Sequence, residues 1–527
     1  MKQNASGVWH QPWLLAITAG ILLGFSFPPF DLPLLQFPAF ILLFRITVLS
    51  YTWREMVIRL TASFITWNLI TTYWLMMATV TGGIAAILAN SLLMLIPFLI
   101  IRLLLKNNTY LLLNSILIAS TWVSYEFFHH QWELAWPWLS LGNAWPVLPD
   151  LIQYISITGF LGVSFWVVVT SVFLYRALDA FNGIHFFYAI ILFLAFPLIS
   201  IISKIVFQEQ STEILEVAII QPDLNSYLDY GGYQNTDQLL THLLELSDSV
   251  RTENTDLIVW PENAIDSAIP RENRFNSRIA DSLKSWNTEL ITGAGLIDYY
   301  NTGDKPSVFR GNHDGIAYNF YNAAIHYSGD LIPDIYKKGK LVPIVERMPY
   351  APQLQKMDLF GWLNWGEYLG YGKGTETNNF HTKGYQTPAL ICYDSVFPGW
   401  VRGFVLNGAG YLTIITNDGW WGNTSGHIQH FEYARLRAIE FRKWVVRSAN
   451  NGISGVISPD GKVQLRTQYQ KQTGFTFQIY PDERLTPFAR HGNWFNWLMV
   501  AGLFLSILMI SKQNFAPGNL NKTGTDI

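Results

Sequence analysis

The chain reads as a bundle of membrane helices joined to an α/β domain, and three observations predict this. Half of the 527 residues are hydrophobic and only 14% are charged, against about 25% charged in typical soluble proteins. The mean hydropathy is +0.19, too apolar for a wholly soluble chain and too polar for a wholly embedded one. The apolar residues are also segregated. Long runs fill the first 207 residues and recur once near the C-terminus, whereas most charges lie between 208 and 490.

Seven apolar runs are predicted as helices at about 13–27, 35–51, 57–79, 83–105, 110–128, 160–176 and 186–207. A helix needs about 20 apolar residues to cross the bilayer core. The first two runs are short and interrupted by Pro28, Pro29, Pro33 and Pro38. The first is not expected to be a signal peptide, because further spans follow and no small-residue cleavage site stands out. An eighth run, about 494–511, is rimmed by Trp494 and Trp497 on one side and Lys512 on the other.

The basic residues alternate along this series. Lys2 precedes the first run, Arg45, Arg54 and Arg59 flank the second gap, Arg102 and Lys106 follow the fourth run, and Arg176 follows the sixth. The gaps at 28–34, 79–83 and 128–159 hold no Lys or Arg. By the positive-inside rule both termini are expected in the cytoplasm and the large polar segment outside it. The expected organisation is therefore 1–207 transmembrane, 208–490 extracytoplasmic, 491–512 a final span and 513–527 a cytoplasmic tail.

Within 208–490, Leu215–Gln221, Leu257–Trp260, Leu290–Ala294, Asn319–Tyr327, Ala389–Cys392, Tyr411–Thr416, Trp444–Ala449 and Gly455–Ser458 are predicted strands. Helical patterns fall at about 235–252, 271–286 and 427–442. Apolar strands alternating with amphipathic helices predict an α/β domain with a buried sheet. The net charge of -3 leaves no basic footprint for nucleic acid. One cysteine excludes a disulfide framework and a multi-cysteine metal site within the chain.

Three spots carry reactive groups. Glu262 follows the apolar run ending in Val259-Trp260-Pro261, a position at the sheet rim where open α/β folds place their sites. Lys338 lies in Tyr336-Lys337-Lys338-Gly339-Lys340-Leu341-Val342-Pro343, with Glu346 just beyond. Cys392 ends the run Leu390-Ile391 and leads into Tyr393-Asp394. A thiol attacks as the thiolate, with an ordinary pKa of about 8.5, so it needs a base or a cation nearby. Glu262 could be that base, and Lys338 the cation, also stabilising an oxyanion together with the Tyr393 N–H. Taken singly, each has a plainer reading. Cys392 could be a small buried hydrophobe, Glu262 a carboxylate at a helix N-terminus, and Lys338 one of three solvated lysines.

In their order along the chain, Trp260-Pro261-Glu262, Lys338 and Cys392 resemble the Glu-Lys-Cys triad of the carbon–nitrogen hydrolase (nitrilase) superfamily. Set between seven N-terminal spans and one C-terminal span, the domain resembles the apolipoprotein N-acyltransferases in particular. The stretch Tyr336-x-Lys338-x-x-Leu341-Val342-Pro343-x-x-Glu346 is similar to the family's lysine motif. So are Asn417-Asp418-Gly419-Trp420-Trp421-Gly422, Gln429-His430, Ala434-Arg435-x-Arg437-Ala438-x-Glu440 and Ala449-Asn450-Asn451-Gly452 to later motifs. In the membrane part, Trp136-Pro137-Trp138-Leu139-x-Leu141-Gly142 and Gly159-x-x-Gly162-Val163-Ser164-Phe165 also fit. Departures are Ile344-Val345 where the family often has phenylalanine–glycine, Arg347 in place of an aromatic, and Asp394 where glutamate is common. They leave the triad intact and bear on the acyl pocket and donor preference.

The resemblance implies an αββα sandwich and an N-acyltransferase. Cys392 would be the nucleophile that forms an acyl thioester, Glu262 the general base and Lys338 the oxyanion stabiliser, with Glu346, Tyr393 and Asp394 supporting them. The donor would be a phospholipid and the acceptor the N-terminal amine of a diacylglyceryl-cysteine apolipoprotein. No cofactor or metal is implied, and the place of action would be the bacterial inner membrane with the catalytic domain in the periplasm. Trp362, Trp365, Trp420 and Trp421 would contact lipid or pack in the core. The stretch 350–380, rich in apolar residues and glycine, is predicted to be a long mobile flap over the site. Two other functions fit the same residues: a membrane-tethered nitrilase-type amidase acting on a small amide, with water as second nucleophile, and a non-catalytic lipid-binding scaffold.

Overall fold

The computed structural model describes residues 11–106, 110–207, 211–265, 273–301, 303, 305–306, 309–328, 333–357 and 369–515. Two compact units emerge. One comprises Met1–Gln131, Trp136–Val206 and Asn493–Ile527, the other Trp132–Ala135 and Phe207–Gly492. The short segment Trp132–Ala135, expected within a membrane loop, thus groups with the α/β unit.

In the first unit every predicted apolar run is helical: Pro12–Ser26, Gln36–Leu49, Trp53–Thr72, Val80–Leu93 continued by Ile96–Leu105, Leu111–His129, Leu161–Ala180, Gly183–Val206 and Trp494–Phe515. By length and composition, Val80–Leu105, Leu111–His129, Leu161–Ala180, Gly183–Val206 and Trp494–Lys512 can cross a membrane. The helices at the positions of the first two runs are apolar but shorter, and Trp53–Thr72 carries Arg54, Glu55 and Arg59 in its opening turns. The helix Gly183–Val206 exposes Phe187, Leu194, Leu198, Ile201, Ile202 and Ile205. A patch of that extent on a soluble protein would mark an interaction surface; here it suits lipid. Glycine permits close helix packing. A Cβ on Gly20 would lie 2.4 Å from the Ser63 carbonyl oxygen, and one on Gly24 2.6 Å from the Ile70 side chain.

The second unit holds the strands β1 (Leu215–Gln221), β2 (Leu257–Val259), β3 (Glu289–Tyr300), β4 (Gly311–His313), β5 (Ile316–Tyr327), β6 (Asp334–Lys337), β7 (Phe380–Thr382), β8 (Tyr385–Thr387), β9 (Ala389–Ile391), β10 (Leu412–Thr416), β11 (Val445–Ala449), β12 (Gly455–Ile457), β13 (Val463–Arg466) and β14 (Thr473–Ile479). One sheet runs β14-β1-β2-β3-β5-β4, with β6 also on β5; a second runs β13-β12-β11-β10-β9; β7 and β8 form a hairpin. Parallel pairing links β1, β2 and β3 in the first sheet and β9, β10 and β11 in the second. The sheets face each other at β1 and β11, where Ser448 Oγ donates to the Ile220 carbonyl at 2.7 Å. Thr236–Val250 and Asn273–Trp286 cover the outer face of the first sheet through Leu239, Leu243, Phe275 and Ile279 packed on Ile258, Trp260 and Leu290. Ser425–Phe441 packs on β11 and β12. The arrangement is a four-layer α/β sandwich.

Several elements differ from the sequence reading. The strands β4, β6, β7, β8, β13 and β14 and the helix Pro398–Leu406 were not expected. Thr473–Ile479 alternates Phe475, Phe477 and Ile479 with Thr476 and Gln478 and pairs antiparallel along all of β1, a strand pattern that the sequence reading passed over. Pro398-Gly399 reads as a turn, but proline at a first helical position starts a helix. The expected structureless flap opens with the helix Ala351–Lys356 and ends in β7. Leu369 is buried against Ala351, and Met357 is exposed. Leu359, Phe360, Trp362, Leu363, Trp365 and Tyr368 lie outside the described residues, as does the tail beyond 515.

The end of β2 is fixed by close backbone contact. The Gly293 N–H donates to the Pro261 carbonyl at 3.1 Å, and a Cβ on Gly293 would lie 2.5 Å from Glu262 Cα. Backbone cannot yield as a side chain can, so Gly293→Ala is expected to cost about 1–3 kcal/mol. Gly399→Ala, with nothing within 4 Å of the added carbon, serves as the control. Thermal unfolding of the detergent-solubilised protein should show a clear drop for the first variant and none for the second.

Candidate active site

The first sheet supplies a carboxylate and an ammonium. Glu262 leaves the end of β2 after Pro261 and is buried. Its Oε1 accepts from Asn322 Nδ2 at 2.7 Å and from Lys338 Nζ at 3.2 Å, and its Oε2 accepts from the Asn417 N–H at 2.8 Å. Lys338 follows β6, tied by its N–H to the Asn322 carbonyl at 2.9 Å and by its own carbonyl to the Gly374 N–H at 2.8 Å. Its ammonium is fully enclosed. A second carboxylate, Glu346, accepts from Lys338 Nζ at 2.7 Å through Oε1 and from the Val342 N–H at 2.7 Å through Oε2. Glu346 sits on a tight strap in which Ile344 adopts φ 69° and exposes its side chain together with Val345.

The second sheet supplies the thiol. Cys392 follows β9 and opens a short 3-10 helix, Cys392–Val396, with φ 47°. A non-glycine residue held there costs on the order of 1–3 kcal/mol, and such strain gathers at functional sites. Asp394 braces the elbow. Its Oδ1 accepts from the Lys340 N–H at 2.7 Å, and its Oδ2 from Tyr336 Oη at 2.8 Å and the Ile391 N–H at 3.1 Å. Asp394 therefore ties the cysteine turn to the lysine loop. Burial pushes its carboxyl up to about 6, although Lys338 and these donors oppose the shift. Tyr393 donates its hydroxyl to the Ala135 carbonyl at 3.0 Å, which seats the segment Trp132–Ala135 next to the elbow. Glu133 likewise accepts from the Tyr350 N–H.

The charges decide the resting state. Burial pulls the Lys338 ammonium down, but Glu262, Glu346 and Cys392 together outweigh it and hold the group well above its usual range. Burial first, then Glu262, pushes the Cys392 thiol well above its usual range; Lys338 opposes this, and Glu346 and Asp418 add to it. The thiol is thus biased toward its neutral form, in the field of an ammonium paired with Glu262 and Glu346. A thiol in this state can attack a carbonyl if its proton passes to a neighbouring carboxylate in the same step.

All six residues singled out in the sequence lie in this one unit, and the structure adds others. Asn322 holds both Glu262 and the Lys338 backbone; it is one inward position on β5, and nothing in its neighbours marks it. Asn417 and Asp418 were legible as part of a motif but not as partners of Glu262 and of the buried Arg447. Trp420 is exposed beside Tyr227, their rings 5.2 Å apart, and Trp421 packs edge-on against His430 at 5.7 Å. Trp362 and Trp365 lie outside the described residues. Among the described residues no group of His, Cys, Asp and Glu is arranged to hold a metal ion.

The two-sheet sandwich and its cysteine elbow define an enzyme of the carbon–nitrogen hydrolase class, and the model of that family, described as carbon-nitrogen hydrolase, matches residues 216–479. A second family model, the apolipoprotein N-acyltransferase N-terminal domain, matches residues 19–173. A protein of Chlorobaculum tepidum named apolipoprotein N-acyltransferase is 30% identical over 96% of this chain and 98% of its own length. Proteins of the same name from Rickettsia prowazekii and Geobacter metallireducens are 28% identical over 77% of the chain and 78% of their length, and 26% identical over 94% of both. The chain belongs to the apolipoprotein N-acyltransferase family. It is a membrane-embedded bacterial protein of that family.

Two measurements test the site's electrostatics. Cys392 is the chain's one cysteine, so alkylation by iodoacetamide, followed by intact mass spectrometry, reports on it alone. The alkylation rate is expected to keep rising above pH 9. Glu346→Gln removes a charge that raises the thiol pKa, so its profile should move to lower pH. Lys338→Met removes the opposing cation and should move it to higher pH. Lys338→Met also leaves the buried Glu262 and the half-buried Glu346 uncompensated and is expected to cost about 3–5 kcal/mol in denaturant unfolding.

Proposed function

We propose that this protein transfers a fatty acyl chain from a phospholipid to the N-terminal amine of a diacylglyceryl-cysteine apolipoprotein through a thioester on Cys392. Family membership supports the reaction class. The observation that carries the residue roles is the one thiol of the chain, held at a strained elbow within the field of the Glu262–Lys338–Glu346 cluster.

In the first step the Cys392 sulfur bonds to the ester carbonyl carbon while Glu262 takes the thiol proton. Lys338, with the Tyr393 N–H, stabilises the oxyanion. Collapse breaks the ester C–O bond, Glu262 returns the proton to the leaving oxygen, and the lysophospholipid departs. In the second step the α-amine attacks the thioester, C–N forms, C–S breaks, and the amine's proton reaches the thiolate through Glu262. An α-amino group has a pKa of about 7.7–8.0 and a lysine side chain about 10.4, so near neutral pH the α-amine is far more often the free nucleophile. Water competes for the thioester, and the burial of Cys392 and Lys338 limits its access. Glu346 keeps Lys338 in place, and Asp394 and Tyr393 hold the elbow.

The proposed setting is the inner membrane, with the α/β unit in the periplasm and both termini in the cytoplasm. The absence of Lys and Arg in the alternate gaps supports it. The domain limits 208–490 and 491–512 belong to the same proposal.

Incubation with phospholipid vesicles is expected to add one acyl mass to Cys392, removable by hydroxylamine. Glu262→Gln should slow the adduct's formation by about 10²–10⁴-fold, and Cys392→Ser should abolish the thioester. A Cys392→Ser protein that still acylates a lipoprotein at the full rate would end this reading.

A further inference from the structure

Behind the elbow lies a second buried cluster for which the reaction above has no use. Arg447 on β11 is fully buried. Its Nη2 donates to Asp418 Oδ2 at 2.8 Å and its Nε to the Ile453 carbonyl at 3.0 Å. Asp418 Oδ1 accepts from Thr416 Oγ1 at 2.8 Å. His430, on the helix Ser425–Phe441, stands between this pair and the nucleophile. Its Nδ1 lies 3.0 Å from Asp418 Oδ1 and 3.1 Å from Arg447 Nη2. Its Nε2 lies 3.2 Å from the carbonyl oxygen of Cys392, which also accepts from Ser395 Oγ at 2.7 Å. A ring proton on Nε2 lets His430 donate to that carbonyl while Nδ1 accepts from Arg447. Burial, and then the Arg447 charge, lower the His430 pKa and keep the ring neutral.

The placement matters because of what flanks it. The Cys392 carbonyl belongs to the residue forced to φ 47°, and its orientation sets where the sulfur points. Asn417, next to Asp418, gives its N–H to Glu262 Oε2 at 2.8 Å. The dipeptide Asn417-Asp418 therefore holds the proposed base directly and reaches the nucleophile through Arg447 and one imidazole. A Cβ on Gly452 would meet Asp418 Oδ2 at 2.4 Å, so this carboxylate has little room to move.

We propose that His430, held at Nδ1 by Arg447, which Asp418 in turn fixes, is a positioning residue that clamps the Cys392 carbonyl and so aims the thiol at the Glu262–Lys338 pair. This rests on Cys392 being the nucleophile.

The test uses the full-length protein in detergent micelles, with two readouts: iodoacetamide alkylation of Cys392 at fixed pH, and thioester formation from phosphatidylethanolamine vesicles. His430→Leu removes the donor and is expected to slow both at least tenfold, with a melting temperature within a few degrees of the parent. His430→Gln carries an amide N–H at about the reach of Nε2 and is expected to recover most of both rates. Wild-type rates in His430→Leu, or a His430→Gln protein as slow as His430→Leu, would overturn the proposal. Should His430→Leu fail to fold, Ser395→Ala decides: loss of the second donor on the same carbonyl is expected to slow alkylation several-fold, and an unchanged rate would overturn the clamp. If the alkylation pattern holds while the parent forms no thioester, the lipid-donor reading fails and the clamp stands.

Discussion

One buried ammonium governs the α/β unit. Lys338 has no contact with solvent and lies between Glu262 and Glu346, each within hydrogen-bond reach. Desolvating three charged groups is costly, and mutual attraction repays it only when geometry is good and the remaining polar atoms are satisfied. The fold meets that demand. Asn322 and the Asn417 N–H take the rest of Glu262, and the Val342 N–H takes the second oxygen of Glu346. In the proposed mechanism no preformed thiolate is needed, because Glu262, the carboxylate that pairs with the lysine, would receive the thiol's proton.

The two sheets divide the labour. The first brings Glu262 and Lys338 to its rim from β2 and β6, and the second brings Cys392 from β9 and Asn417 from the end of β10. The facing of the two sheets brings the Cys392 elbow into the electrostatic field of Glu262 and Lys338. Links such as Ser448 to Ile220 and Asp394 to Tyr336 and Lys340 carry the alignment across that junction. The family's typical glutamate at position 394 is replaced here by aspartate, and the shorter side chain still reaches all three of its donors. The Ile344-Val345 departure has a different outcome: both side chains are exposed on the strap that carries Glu346, so their effect falls on whatever approaches the site rather than on the charges inside it.

Legibility in the sequence followed physical strength. Apolar runs of membrane length and fully buried parallel strands such as β1, β10 and β11 carry continuous hydrophobic signal, and they were visible. The edge strands β13 and β14 alternate apolar and polar residues over only four and seven positions, too short a pattern to set them apart from the loops around them. Glu262, Lys338 and Cys392 stood out because they lie just after strands within recognisable motifs. Asn322, the strap geometry of Glu346 and the His430–Cys392 contact depend on tertiary approach alone. Trp132–Ala135 is the sharpest case: it lies between two membrane helices in sequence, yet its Ala135 carbonyl holds Tyr393, the residue next to Cys392.

In the proposed reaction the acyl group on Cys392 passes to an amine rather than to water. A single-turnover chase tests it most directly. The protein is loaded with a radiolabelled acyl chain from phospholipid, freed of donor, and mixed with a diacylglyceryl-cysteine peptide bearing either a free or an acetylated α-amine. The label should persist on the protein in buffer and with the acetylated peptide, and move to the free-amine peptide as an amide. Release as free fatty acid at the same rate in all three samples would contradict the account and mark the protein as a hydrolase.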